Sequence, residues 1–193
     1  MIRLATKEDI PAILEIYAPY VQNTTYTFEY SVPTVQTFTA RFEAITAQFP
    51  WLVWEENGIV LGYAYGSAPF ERAAYAWCSE VSIYLAPQAQ GKGIGTALYA
   101  CLEEILWRQG YQVIFALITS ENQDSVAFHQ HVGYSHSFVC KKCGYKFGRW
   151  LDVIWMEKRQ NFVESPTAAP VPWGYVVEND GKLKNILANF SLS

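Results

Sequence analysis

Apolar residues recur along this chain at two spacings, and the two spacings alternate. Ile2–Ala5 reads as a short strand. Thr6 is a good N-cap with Glu8 and Asp9 in the first turn, and Ile10, Ile13, Leu14 and Tyr17 then repeat at helical spacing. Thr34 opens a second helix with Phe38, Phe42 and Ile45 on one face. Trp51–Glu55 and Ile59–Ser67 read as strands joined by Asn57-Gly58, residues that tolerate the two positive φ angles of a type I′ turn. Trp77–Leu85 is a further strand, ended by Pro87. A glycine-rich turn follows, then a long stripe of Ile94, Ala97, Leu98, Cys101, Leu102, Ile105 and Leu106, stopped by Gly110. Gln112–Ile118 is a continuous apolar run, the pattern of a central strand. Ser125–Val132 is a short helix closed by Gly133, and Tyr134–Val139 and Trp150–Glu157 are two more strands. This alternation predicts an α/β or α+β domain. Past Arg159, Pro166, Pro170 and Pro172 break regular structure. The expected division is a domain over residues 1–159 and an appendage over 160–193, which Trp173 and Tyr175 direct onto the domain or onto a partner subunit.

Composition removes several classes of function. The chain has 193 residues, 51% of them hydrophobic, with 7 Trp, 13 Tyr and 11 Phe, which excludes global disorder. A net charge of −4 with 17% charged residues argues against nucleic acid as a partner, although backbone amides can still bind a phosphate. No apolar run approaches the ~20 residues of a membrane span, and Lys7-Glu8-Asp9 interrupt any leader-like segment, so a cytoplasmic protein is expected. Cys78, Cys101, Cys140 and Cys143 are then expected as free thiols. His129, His131, His136, Cys140 and Cys143 crowd together, and Cys140-Lys141-Lys142-Cys143 has the spacing of a metal-ligand pair. A second closely spaced pair does not follow, so no metal is expected.

The densest chemical signal is Gln90-Gly91-Lys92-Gly93-Ile94-Gly95 between a strand and a helix. Glycines let the backbone turn there, and the amides and the helix N-terminus can converge on an anion such as a pyrophosphate. Neither the P-loop nor the dinucleotide-binding spacing of glycines is present. Gln90-x-x-Gly93-x-Gly95 resembles the pyrophosphate loop of the GNAT family of N-acetyltransferases, and the order of parts over about residues 2–158 is similar to that family. Four segments resemble the subgroup of phosphinothricin and methionine sulfoximine/sulfone acetyltransferases. They are Tyr26-Thr27-Phe28-Glu29, Ala74-Tyr75-Ala76-Trp77-Cys78-Ser79-Glu80, Asn122-Gln123-Asp124-Ser125-Val126 with His129, and Gly144-Tyr145-Lys146-Phe147-Gly148-Arg149-Trp150-Leu151-Asp152-Val153. Members acting in plant resistance carry histidines where this chain has Phe147 and Leu151, a difference that points away from phosphinothricin and toward methionine-like substrates.

The resemblance implies a mixed central sheet of about six to seven strands flanked by about four helices. It implies acetyl-CoA as co-substrate and a small amino-acid-like acceptor. Acyl transfer to an amine needs a base for the ammonium proton, stabilisation of the oxyanion and a proton for the thiolate. Glu80 is expected as the base, its pKa raised by burial. Ile83, Tyr84 and Leu85 are expected to offer backbone groups to the cofactor, Gly91, Lys92, Gly93, Ile94, Gly95 and Thr96 to hold its pyrophosphate, and Asn122 to reach it from the next strand. Phe28, Glu29 and Tyr75 are expected around the acceptor, with Arg72 as the partner of its carboxylate. His129 and Tyr134 are candidates for the acid. Two alternatives remain open at this point: acetylation of a peptide or protein N-terminus, and a non-catalytic acyl-CoA-binding module. The resemblance also implies a homodimer, which the aromatic tail would support.

Overall fold

The computed structural model describes residues 1–160, 162–166, 168–179 and 181. Seven strands form one mixed sheet: β1 (Ile2–Leu4), β2 (Trp51–Glu56), β3 (Ile59–Ser67), β4 (Cys78–Leu85), β5 (Val113–Thr119), β6 (Ser135–Lys146) and β7 (Arg149–Arg159), in the order β1-β2-β3-β4-β5-β7-β6. Among the described residues five α-helices accompany it: α1 (Ile10–Asn23), α2 (Val35–Thr46), α3 (Ile94–Gln109), α4 (Gln123–His131) and α5 (Trp173–Asn179).

The helices cover both faces of the sheet, and the period of two along β2 shows how. Leu52 and Trp54 pack with α3, while Trp51 and Val53 pack with α1 and α2, and all four are buried. The expected stripes supply the other half of each layer. Ile10, Ile13, Leu14 and Tyr17 of α1 and Phe38 and Phe42 of α2 are buried on one side, and Ile94, Leu98, Cys101, Leu102, Ile105 and Leu106 of α3 on the other. Thr34 caps α2, its hydroxyl accepting the Thr37 N–H at 3.2 Å. Asn57 and Gly58 have φ of 51° and 78°, as a type I′ turn requires.

Two elements differ from their sequence patterns. The short helix α4 starts at Gln123 because the Asn122 side chain accepts the Ser125 N–H at 3.2 Å and caps it. The two last strands are a single long hairpin, closed by Phe147-Gly148 with φ of 51° and 77°. Of the two, Gly148 is a turn residue and Phe147 is not, so the sequence signature of this turn is weak. Beyond the sheet, the Val171 N–H donates to the Gln109 carbonyl at 2.9 Å, and the Trp173 indole donates to the Thr46 carbonyl at 2.7 Å. These bonds lay α5 against α3 and the end of α2.

Candidate active site

The sheet opens in its middle. β4 and β5 run parallel but pair only at Cys78 with Val113, Ser79 with Ile114 and Glu80 with Phe115. Past that point β4 stays with β3, from Val81 opposite Gly66 to Leu85 opposite Gly62. β5 stays with β7, from Ala116 opposite Met156 to Thr119 opposite Val153. The facing edges of residues 81–85 and 116–119 are therefore unpaired, and backbone polar groups look into a cleft between them. Tyr99 and His129 also line this cleft. The buried Thr119 hydroxyl has no hydrogen-bond partner there.

The cleft continues to the start of α3 as a hollow of about 450 Å³ bordered by Ile83, Leu85, Gln90, Gly91, Gly95, Asn122 and Phe128. Gly91 and Gly93 have φ of 71° and 75°, a region that side chains rarely adopt. A Cβ on Gly95 would lie 3.3 Å from the Phe128 ring. Gly91, Lys92, Gly93 and Thr96 are exposed at this N-terminus, while the Ile94 side chain is buried in the core and leaves only its backbone to the turn. The Asn122 side chain borders the hollow, but its oxygen caps α4.

At the opposite end of the splay lies a cavity of about 270 Å³ whose lining includes Thr27, Phe28, Glu29, Arg41, Tyr65, Glu80 and Ser82. Glu80 stands where β4 and β5 part. Burial, with no offsetting partner, pushes its pKa up to about 7. Burial likewise raises the Tyr65 phenol to about 12. The segment carrying Phe28 is fixed to the β6–β7 hairpin. The Lys146 ammonium, itself buried, donates to the Val21 carbonyl at 2.8 Å and the Thr27 carbonyl at 2.7 Å. The Phe28 ring lies on Gly144, where a Cβ would come within 2.1 Å of it. The Thr25 hydroxyl donates to Glu121 at 2.9 Å, and Arg149 pairs with the same carboxylate at 2.7 Å.

Some expected residues lie elsewhere. Arg72 is exposed just before a 3-10 turn over Ala73–Tyr75, and the Tyr75 ring packs on Phe70 at 4.5 Å. Neither lines the cavity that holds Glu80. Phe147 sits exposed at the hairpin turn and Leu151 is buried in the sheet, so neither reaches that cavity. His129 is buried, and burial lowers its pKa to about 4. Its Nδ1–H donates to the Ser125 carbonyl at 2.7 Å, so Nε2 accepts from the Tyr99 hydroxyl at 3.0 Å. This neutral ring, held at both nitrogens, is a poor proton donor at pH 7. Tyr134 is buried and borders no part of the cleft. Cys140 and Cys143 flank an irregularity in β6, and the Cys143 thiol donates to the Cys140 carbonyl at 3.2 Å. Among the described residues no group of three His, Cys, Asp or Glu side chains is placed to hold a metal. No described helix is long and apolar enough to cross a membrane.

Sequence reasoning missed Arg41 and Lys146. Arg41 interrupts the apolar stripe of α2, three residues after Phe38 and next to Phe42, and reads there as an ordinary surface charge. Lys146 reads as a hairpin charge, yet it is nearly inaccessible to solvent at 1% exposure.

Known proteins resemble this chain in sequence and fold. A model of the acetyltransferase (GNAT) domain matches residues 2–155. A phosphinothricin N-acetyltransferase of Alcaligenes faecalis is 37% identical over 83% of this chain and 82% of its own length. An L-methionine sulfoximine/L-methionine sulfone acetyltransferase of Pseudomonas aeruginosa is 38% identical over 81% of this chain and 92% of its own. The crystal structure of a GNAT superfamily phosphinothricin acetyltransferase from Sinorhizobium meliloti, in complex with acetyl-CoA, superposes with a TM-score of 0.80. It is 36% identical, covering 89% of this chain and 92% of that one.

Proposed function

The chain belongs to the GNAT acetyltransferase family, and from that premise we propose that it acetylates the α-amino group of a small amino-acid-like substrate of the phosphinothricin or methionine sulfoximine/sulfone type. Acetyl-CoA is the co-substrate, transfer is direct, and Glu80 is the general base. The observation that carries this reading is Glu80 itself: a buried carboxyl raised to about 7, at the point where the two central strands separate.

The residues fit acetyl-CoA by their shape and their polarity. The hollow runs from the N-terminus of α3 along the unpaired edge of β4 to Glu80. The amides after Gly91 and Gly93, with the positive end of α3, suit a pyrophosphate. Backbone groups on the unpaired β4 edge around Ile83 suit the amides of an extended pantetheine arm, while the Leu85 carbonyl already accepts the Tyr20 hydroxyl at 2.7 Å. When bound, acetyl-CoA supplies the acetyl group as an activated thioester. The amine arrives mostly as ammonium, since a peptide-like α-amino group has a pKa of about 7.7–8.0. Glu80 near 7 is ionised in about half the molecules at neutral pH. Its carboxylate therefore takes that proton with a small energetic mismatch, typically worth about 10²–10⁴ in rate. The β4 edge would polarise the carbonyl at which the freed amine attacks; the bond to sulfur would then break and coenzyme A leave as a thiolate protonated from solvent.

A thiol-release assay with acetyl-CoA and a panel of acceptors tests the reading. Turnover is expected with methionine sulfone, methionine sulfoximine or phosphinothricin and not with polyamines. Turnover confined to peptide N-termini, or none with any acceptor, contradicts it.

A further inference from the structure

Cys140 and Cys143 line neither the cleft nor the cavity beside Glu80, yet β6 is shaped around them. From Cys140, opposite Val153, to Gly144, opposite Leu151, β6 takes four steps where β7 takes two. Four extended residues would cover ~13 Å, and here they fit a gap of ~7 Å. The chain is gathered into a bulge, with Lys142 at a φ of 50° and its N–H donating to the Asp152 carboxylate at 2.8 Å. In a regular strand two cysteines three residues apart would stand ~10 Å apart, and a disulfide needs Cα atoms within about 7 Å. The bulge removes that obstacle. The Cys143 thiol turns back to donate to the Cys140 carbonyl at 3.2 Å. Burial, and then the Cys140 side chain, raise the Cys143 thiol above its ordinary pKa, so the two sulfurs are near enough to act on each other. Cys143 is exposed and Cys140 half-buried, which opens Cys143 to a dissolved oxidant first.

The dithiol also stands at the base of the structure that walls the acceptor cavity. Cys143 is followed by Gly144, on which the Phe28 ring lies. Next along β6, the Tyr145 carbonyl accepts the Tyr30 hydroxyl, and the Lys146 ammonium holds the Val21 and Thr27 carbonyls. At the other end of the bulge Cys140 pairs with Val153, which lines the same cavity as Phe28. Both ends of the bulge therefore bear on one wall.

We propose that Cys140 and Cys143 are an oxidation site, which a low-molecular-weight disulfide converts to an internal disulfide, and that this closure loosens the Phe28 segment. Its effect on turnover rests on the acetyltransferase reading of the cavity. The Cys143 thiolate attacks one sulfur of the oxidant, whose S–S bond breaks and releases one thiol. The Cys140 thiolate then attacks the Cys143 sulfur of the mixed disulfide and expels the second thiol. The protein gives up two electrons and two protons, and the oxidant takes them up as two thiols. Closure exchanges the hydrogen bond from Cys143 to the Cys140 carbonyl for a covalent bond between the sulfurs. The bulge tightens and Gly144 shifts under the closely packed Phe28 ring.

The test treats the full-length protein with oxidised glutathione and maps it by mass spectrometry without reduction. The segment holding both cysteines is expected to become lighter by two hydrogens. Amide hydrogen exchange over residues 24–30 is expected to quicken, and dithiothreitol to reverse both changes. In steady-state kinetics the acceptor KM of the oxidised enzyme is expected to rise about 3–10-fold, with the KM for acetyl-CoA little changed. Cys143→Ser is expected to abolish all three responses and Cys78→Ser to keep them. A stable glutathione adduct with no internal disulfide overturns the proposal. A disulfide that leaves the exchange of residues 24–30, or the acceptor KM of an active enzyme, unchanged overturns it as well. Reversible closure with quickened exchange, in a protein that turns over no acceptor, upholds the oxidation site and contradicts the acetyltransferase reading alone.

Discussion

Glu80 is a side chain whose cost to stability and use in catalysis have one origin. Burial raises its pKa from an ordinary 4.5 to about 7. The folded protein thus favours the protonated form. The stability this confers is fully present below about pH 4.5 and is lost as pH rises through about 7. Glutamine keeps the neutral shape at every pH. Glu80→Gln is therefore expected to match the native protein in urea near pH 4 and to exceed it at pH 8, by roughly 3 kcal/mol at most. An advantage of the same size at both pH values contradicts the burial argument. Gly144 is a second decisive residue. Gly144→Ala pushes the Phe28 ring off the cavity wall, and acceptor KM is expected to rise about tenfold in steady-state kinetics with the KM for acetyl-CoA little changed. An unaltered acceptor KM removes Phe28 from the acceptor wall. Glu80 was legible in the sequence because a family pattern surrounds it. Arg41 was not, since one arginine on an amphipathic helix looks the same whether it meets water or a cavity.

Among the elements, α1, α2, α3 and the β2–β3 hairpin followed directly from spacing, caps and the Asn57-Gly58 turn, because each carries a local signal. The parting of β4 from β5 carries none in its own residues. It results from β4 remaining with β3 while β5 remains with β7, a competition among strands that no single segment records. The glycine turn before α3 was legible, and its two residues at positive φ bear out the chemical reason for glycine there. A β-branched residue at Gly93 forces a disfavoured backbone, and one at Gly95 presses on Phe128. Calorimetry on Gly93→Val and Gly95→Val is expected to show acetyl-CoA affinity weakened at least tenfold. Unchanged affinity in both variants removes the pyrophosphate from this turn.

Across the whole molecule, the tail and the open aromatic surface bear differently on assembly. Trp173 donates to Thr46 and α5 lies on α3, so this aromatic is already covered by its own chain. Phe70, Tyr75 and Phe138 are exposed, and Phe70 and Phe138 stack on Trp155 at 5.8 and 5.1 Å. An apolar patch of this kind suits a second copy better than solvent. Light scattering is expected to give twice the 21.9 kDa of one chain at micromolar concentration, and a 21.9 kDa particle contradicts the dimer. The account as a whole stands on direct transfer with Glu80 as base. The pH dependence of kcat for thiol release, in the native enzyme and in Glu80→Gln, tests it most directly. The native rate is expected to rise with pH through an inflection near 7. The variant is expected to be about 10²–10⁴ slower at pH 7, with a deficit that shrinks as the acceptor amine deprotonates in solution. A variant with near-native kcat at pH 7, or a deficit constant up to high pH, contradicts it.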